Sequence, residues 1–186
     1  MFAINKTNIE LIILDRDGVI NYDSKDYIKS PAELEIIPGS ISAIAKLKYA
    51  GFKVAIATNQ SGIGRGYFTT NTLHAMHDKI SNLLQEQNAT VDTINYCPHL
   101  PTENCLCRKP LPALLTRAMT QLKIDNTKTI MVGDSEKDLA AAKNANCNAA
   151  LVLTGNGKET YRRYPNIKEN NTFANLAEFV DVLLAQ

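Results

Sequence analysis

In LIILDRDGVI, residues 11–20, four apolar residues run directly into Asp15, Arg16, Asp17 and Gly18. Two carboxylates two positions apart at the end of a buried strand are costly unless they leave the core for a cleft. Gly18 gives the backbone the freedom to turn there. Thr58 closes the apolar run FKVAIAT, Asp134 follows TIMVG, and Lys109 follows Cys107 and Arg108. In a parallel sheet such strand ends share one rim. Asp15, Asp17 and Asp134 converging there would repel one another, and hard oxygen ligands of this kind call for Mg²⁺. A carboxylate acting as metal ligand and nucleophile, beside Lys109 and the Thr58 hydroxyl, suits an electron-rich phosphoryl group. The reaction class is phosphoryl transfer.

A second constellation lies in YCPHLPTENCLCRKP, residues 96–110. Cys97, His99, Cys105 and Cys107 offer three thiolates and one imidazole, a closed tetrahedral set for structural Zn²⁺. Pro98, Pro101 and Glu103 mark an exposed loop, and structural zinc in small peptides contributes ~10–16 kcal/mol. Three of the four cysteines crowd into this stretch, a spacing that suits a metal in a reducing compartment better than two disulfides. The clamp would carry Arg108 and Lys109 to the phosphate site, where Arg108 can fork onto a phosphate or sugar oxygen.

These residues need a scaffold. Apolar runs at 11–14, 52–58, 91–96, 129–132 and 150–153 alternate with stretches of helical period. The alternation predicts an α/β fold in three layers, a mostly parallel sheet with helices on both faces. Ile41, Ile44, Ala45 and Leu47 share one helical face, ended by Gly51. Leu73, Met76, His77, Ile80 and Leu84 share another, opened by Thr69 or Thr70. Leu114, Leu115, Ala118, Met119 and Leu122 form a third, and further helices are expected near 136–146 and 174–184.

With 186 residues, the chain is expected to form one domain over 1–186. Lys and Arg (20) nearly balance Asp and Glu (19), which gives no global attraction to nucleic acid or an anionic membrane. The stretch MFAINKTNIELIILDRDG is too short in apolar residues to span a bilayer and lacks the order of a signal peptide, so a cytoplasmic location is expected.

DRDGV, TNQSG, CRKP and GDSEKD resemble the four ordered motifs of the haloacid dehalogenase superfamily of aspartate-nucleophile phosphatases, over roughly residues 11–140. The resemblance implies Asp15 as nucleophile and Asp17 as general acid, then base. It implies that Thr58 and Lys109 bind the transferring phosphoryl group. Asp134 would complete the Mg²⁺ site with Asp15 and the backbone carbonyl of Asp17, and Asp138 would brace the loop. Only a loop separates Asp17 from the helix near Gly39, and one helix fills the stretch from Thr58 to Val91, so no cap domain is expected. Substrate would be enclosed by residues 21–30, 59–66 and the segment before CRKP.

Zinc-loop, capless members of the superfamily include the heptose bisphosphate phosphatases and the histidinol-phosphate phosphatases. The compact cysteine loop resembles both, whereas LIILDRDGVIN, ATNQSGIGRGYF and TGNGKET together resemble the heptose type. That resemblance implies a sugar bisphosphate as the small-molecule partner, with histidinol phosphate as the alternative. Asn59, Gln60, Ser61, Arg16 and Asp23 would contact it, and Arg65 would add a cation for a second phosphate. Some heptose enzymes carry Lys directly after the fourth-motif Asp, where this chain has Ser135. A capless site and no evident apolar patch imply a monomer.

Other features read as structural. TGNGKET is no P-loop, because Val152 and Glu159 stand where Gly and Ser or Thr are required. His74 and His77 have no third ligand nearby in sequence and read as helix packing or surface. Cys147 reads as an inert small residue, GIGRG as a tight turn and YRRYP as a solvated turn.

Overall fold

A computed structural model of the chain describes residues 8–164 and 171–185. The first seven residues of the N-terminal stretch read above, and Pro165 of YRRYP, lie outside them. Six parallel strands, β1 (Leu11–Leu14), β2 (Lys53–Asn59), β3 (Thr93–Cys97), β4 (Thr129–Gly133), β5 (Asn148–Val152) and β6 (Thr172–Phe173), stand in the order β3-β2-β1-β4-β5-β6. The helices are α1 (Ser40–Tyr49), α2 (Thr70–Gln85), α3 (Ala113–Leu122), α4 (Glu136–Asn144), α5 (Gly157–Arg163) and α6 (Leu176–Leu184).

Side chains alternate across a strand, and β1 divides the core accordingly. Ile12 and Leu14 pack with α1, α2 and α6, while Leu11 and Ile13 pack with α3 and α4 on the opposite face. β1 is buried along its whole length, which explains its unbroken apolar run. The chain runs outward from β1 through β2 to β3, then returns to place β4 on the other side of β1. That reversal opens a crevice beyond the carboxyl ends of β1 and β4. Leu14 pairs with Val132 in this register, so Asp15 and Asp134 emerge beside one another.

The predicted helices form close to their expected bounds. Thr69 caps α2 by accepting a hydrogen bond from the Thr72 amide at 3.1 Å. Between β1 and α1 lies loop, and between β2 and β3 the only helix is α2. Two corrections concern the C-terminal third. β6 is two residues long, too short to show alternation. Residues 157–163 form α5, so Tyr161, Arg162 and Arg163 of YRRYP are helical where a solvated turn was expected, and Glu159 pairs with both Arg162 and Arg163 across its turns. Among the described residues, no helix is long and apolar enough to cross a membrane.

His77 is a packing residue, buried on α2, whereas exposed His74 meets the Tyr96 hydroxyl at 3.3 Å. Burial, then the Arg16 guanidinium and His74, push the His77 imidazole from 6.5 down to about 3. The folded state therefore keeps it neutral where the unfolded chain takes up a proton. Stability should fall on acidification from about pH 6.5 towards 3, by at most about 1.4 kcal/mol per pH unit from this group. Urea midpoints measured between pH 7 and pH 5 should decline less steeply in His77→Leu than in the parent protein.

Candidate active site

Lys109 sits at the centre of the crevice floor and is 1% exposed. Its Nζ donates to the Ala57 carbonyl at 2.7 Å and to Asp138 Oδ1 at 2.6 Å, and lies 2.9 Å from Asp15 Oδ2. Burial alone would push this amine down, but Asp138 and Asp15 outweigh it and hold Lys109 protonated, above its ordinary range. Asp15, Asp134 and Asp138 each bring a carboxylate oxygen within 4.8 Å of the others. Burial and the charges of Asp138 and Asp134 raise the Asp15 carboxyl against the pull of Lys109. Burial, then Asp138, pushes Asp134 up to about 7 despite two hydrogen bonds from Asn156. A divalent cation relieves this repulsion, and the all-oxygen set fits a hard one. Asp138 is already occupied, because its Oδ2 accepts from the Ser135 amide at 3.1 Å and hydroxyl at 2.6 Å. Asp15 and Asp134 keep the freer oxygens.

The Asp17 carboxylate turns away from this cluster. Its Oδ1 accepts from Arg16 Nη2 at 2.8 Å and Asn21 Nδ2 at 2.8 Å, and its Oδ2 from Gln60 Nε2 at 2.7 Å. Burial raises the group, yet Arg16 together with the Asn21 and Gln60 hydrogen bonds holds it below the ordinary carboxylate range. The same Gln60 amide donates to Thr58 Oγ1 at 2.9 Å, which joins two of the expected site residues. The Arg16 guanidinium, expected at the substrate, is buried against Asp17. Asn59 spends its amide on Lys109, donating to its carbonyl and accepting from its N–H, both at 3.1 Å. It acts as a brace for the residue fifty positions later.

Cys97, His99, Cys105 and Cys107 come together as the sequence predicts. Five of the six distances among their sulfurs and His99 Nδ1 run from 3.2 to 3.7 Å. A tetrahedron with bonds of about 2.3 Å has edges of about 3.8 Å, so the set fits a tetrahedral cation and excludes a disulfide. Burial and the Cys107 thiol push Cys97 up to about 12, a thiol that a bound cation would hold as thiolate. The loop docks on the segment after β2: the Gln60 amide donates to the Cys97 carbonyl at 2.7 Å, and Gly64 to Pro98 at 3.0 Å. Arg108 donates to the His99 carbonyl at 3.3 Å.

Asp23, Ser24, Tyr27 and Ile28 from the loop after β1 and Asn59, Gln60, Ser61 and Phe68 from the end of β2 and the segment after it line the cleft, together with Arg108. Arg65 does not line it. Its guanidinium stacks over the Tyr27 ring, 5.7 Å from the centroid. Asn156 is a functional residue that the sequence reading passed over. Its amide N–H donates to Asp134 Oδ2 at 2.7 Å, and its Nδ2 reaches Asp134 Oδ2 at 3.2 Å and Asp23 Oδ2 at 3.1 Å. The neighbouring glycines make room for this. A Cβ on Gly18 or on Gly155, both with positive φ, would come 2.2 Å from Asp134 Oδ2. Two glycines flanking one carboxylate from distant parts of the chain were the available signal.

A HAD-hydrolase-like family model matches residues 106–179. The D-glycero-β-D-manno-heptose-1,7-bisphosphate 7-phosphatase of Bordetella bronchiseptica is 49% identical over 152 residues, 82% of this chain and 85% of the relative. That of Pseudomonas aeruginosa is 51% identical over 150 residues, 81% of this chain and 84% of the relative. The crystal structure of the D,D-heptose 1,7-bisphosphate phosphatase from B. bronchiseptica, complexed with magnesium and phosphate, superposes with a TM-score of 0.90 at 44% identity, covering 95% of this chain and 99% of that one. Fold and site define a phosphoric monoester hydrolase of the haloacid dehalogenase superfamily. Within it, the chain belongs to the heptose bisphosphate phosphatases.

Asn156 holds Asp134 through two hydrogen bonds. Partners of metal-binding carboxylates typically carry 10–100-fold of metal affinity. Asn156→Ala should therefore raise the Mg²⁺ concentration for half-maximal phosphatase activity by about tenfold or more, with a smaller change in rate at saturating Mg²⁺.

Proposed function

We propose that this protein removes the C7 phosphate of D-glycero-D-manno-heptose 1,7-bisphosphate through a phosphoaspartate, in the cytoplasm, on the route to nucleotide-activated heptose for lipopolysaccharide. The observation that carries the reading is the buried Lys109 ammonium 2.9 Å from Asp15, at the floor of a cleft that Thr58, Asp17 and Arg108 also line. Relatives named for this reaction support the substrate.

Mg²⁺ would be held by Asp15, Asp134 and the backbone carbonyl of Asp17, where it supplies positive charge to orient the phosphoryl group and offset the carboxylates. An Asp15 oxygen attacks phosphorus, and the bond from phosphorus to the C7 oxygen breaks. Lys109 and the Thr58 hydroxyl stabilise the charge on the phosphoryl oxygens. Asp17 gives its proton to the departing alkoxide, then takes one from the water that attacks the phosphoaspartate, freeing phosphate and regenerating Asp15. To hold that first proton, Asp17 leaves the donors that keep it ionised and takes the proton up from solvent before the alkoxide departs. The loops at 21–30 and 59–66 would enclose the sugar in place of a cap domain.

The deciding comparison is kcat/KM for the heptose bisphosphate against histidinol phosphate. A preference above about a hundredfold, roughly 2.7 kcal/mol of differential transition-state binding, is expected. The reverse preference, or full activity in Asp15→Asn, would sink the reading.

Zn²⁺ would occupy Cys97, His99, Cys105 and Cys107 as a structural ion. Elemental analysis should find one zinc per chain in the parent and none in Cys105→Ser, and stripping the zinc should lower both the Tm and the activity at saturating Mg²⁺. A zinc-free parent protein of undiminished activity would refute this assignment.

A further inference from the structure

Four cationic side chains line the cleft: Arg16, Arg108, Lys109 and Lys137. Their partners separate them sharply. Arg16 is buried and paired with Asp17. Lys109 is buried between Asp15 and Asp138. Arg108 touches one carbonyl, that of His99. Lys137, on the first turn of α4, forms no hydrogen bond or ion pair among the described residues and is exposed at the cleft. The buried acid beside it in sequence, Asp138, is closed off by Lys109 and Ser135.

A sugar bisphosphate brings two dianions into this cleft. One goes to Asp15, where the buried ammonium and the site for a cation meet it. The other cannot share that floor, because Asp15, Asp134 and Asp138 already fill it with negative charge. It must lie towards the mouth, against positive charge that no protein carboxylate has neutralised. Arg108 and Lys137 are the two lining cations that fit this description. Arg65, the other candidate from sequence, is held over Tyr27 outside the lining.

We infer that Lys137 is a specificity-determining residue that binds the phosphate not being hydrolysed, on the α4 side of the cleft mouth. The inference rests on the sugar bisphosphate reading above. It assigns Lys137 to recognition, with no part in the chemistry at Asp15. A flexible four-carbon stem ending in a point charge suits a phosphate whose distance from the reacting centre varies with sugar conformation.

The test measures kcat/KM for D-glycero-D-manno-heptose 1,7-bisphosphate and for D-glycero-D-manno-heptose 7-phosphate in the parent, Lys137→Met and Lys137→Arg. The ratio of the two values should fall about tenfold in Lys137→Met, chiefly through KM for the bisphosphate, and Lys137→Arg should restore most of it. The bisphosphate advantage in the parent should shrink with added NaCl, as expected of a solvent-exposed contact. A ratio within twofold of the parent's in Lys137→Met, whatever the absolute rates, overturns the inference and leaves the bisphosphate reading standing. A parent protein that hydrolyses neither heptose phosphate overturns that reading and this inference with it.

Discussion

The buried ammonium of Lys109 holds together groups that would otherwise drive the site apart. Asp138 is fully buried and Asp15 nearly so, and both lie within 3 Å of the Lys109 nitrogen. An uncompensated carboxylate at this depth would take a proton or unfold its surroundings. With its third donor on the Ala57 carbonyl, the ammonium is fully satisfied. Three carboxylates around one ammonium leave two negative charges, and a divalent cation is the species that cancels them. The ion pair that stabilises the floor thus also sets the charge of the metal it can take.

Much of the surrounding chain serves to keep Lys109 where it is. β2 supplies the carbonyl of Ala57 and, two residues on, the Asn59 amide that locks the Lys109 backbone from both sides. The cysteine and histidine cluster ends one residue before Arg108, so whatever fixes these four side chains fixes the approach of both cations. A loop of this length without such a clamp would lose conformational freedom on ordering at about 1–2 kcal/mol per residue. The docking of the loop on the segment after β2 joins the two walls through backbone hydrogen bonds. Metal-ligand geometry and phosphate-site geometry are therefore one problem in this fold.

The sequence made the sheet, five of its six strands, the gathering of the three cysteines with His99 and the approach of Asp15 to Asp134 legible, because each depends on local pattern or on residue type. Asp15, Asp134 and Cys97 could be placed on one rim from strand ends alone. What stayed hidden depends on where side chains turn. Arg16 reads as an available cation until its bidentate contact with Asp17 is seen. Asn59 reads as a substrate contact until its amide is found on Lys109. Asn156 lay in a stretch read for its resemblance and for what it lacks as a nucleotide loop, with no role given to the residue itself. Its role arises from the packing of Gly18 and Gly155 around Asp134, from segments far apart in the chain. α5 begins directly after it, so that short helix positions the brace.

Gln60 ties the two halves of the chemistry together. One amide group donates to Asp17 and to the Thr58 hydroxyl, so the proposed proton donor and the proposed phosphoryl ligand share a hydrogen-bond partner. A phosphoryl oxygen would accept the Thr58 O–H while the Thr58 oxygen goes on accepting from Gln60, so both contacts hold together. With substrate absent, Arg16, Asn21 and Gln60 keep the group charged and turned away from Asp15, which spares the metal-binding carboxylates a fourth negative neighbour.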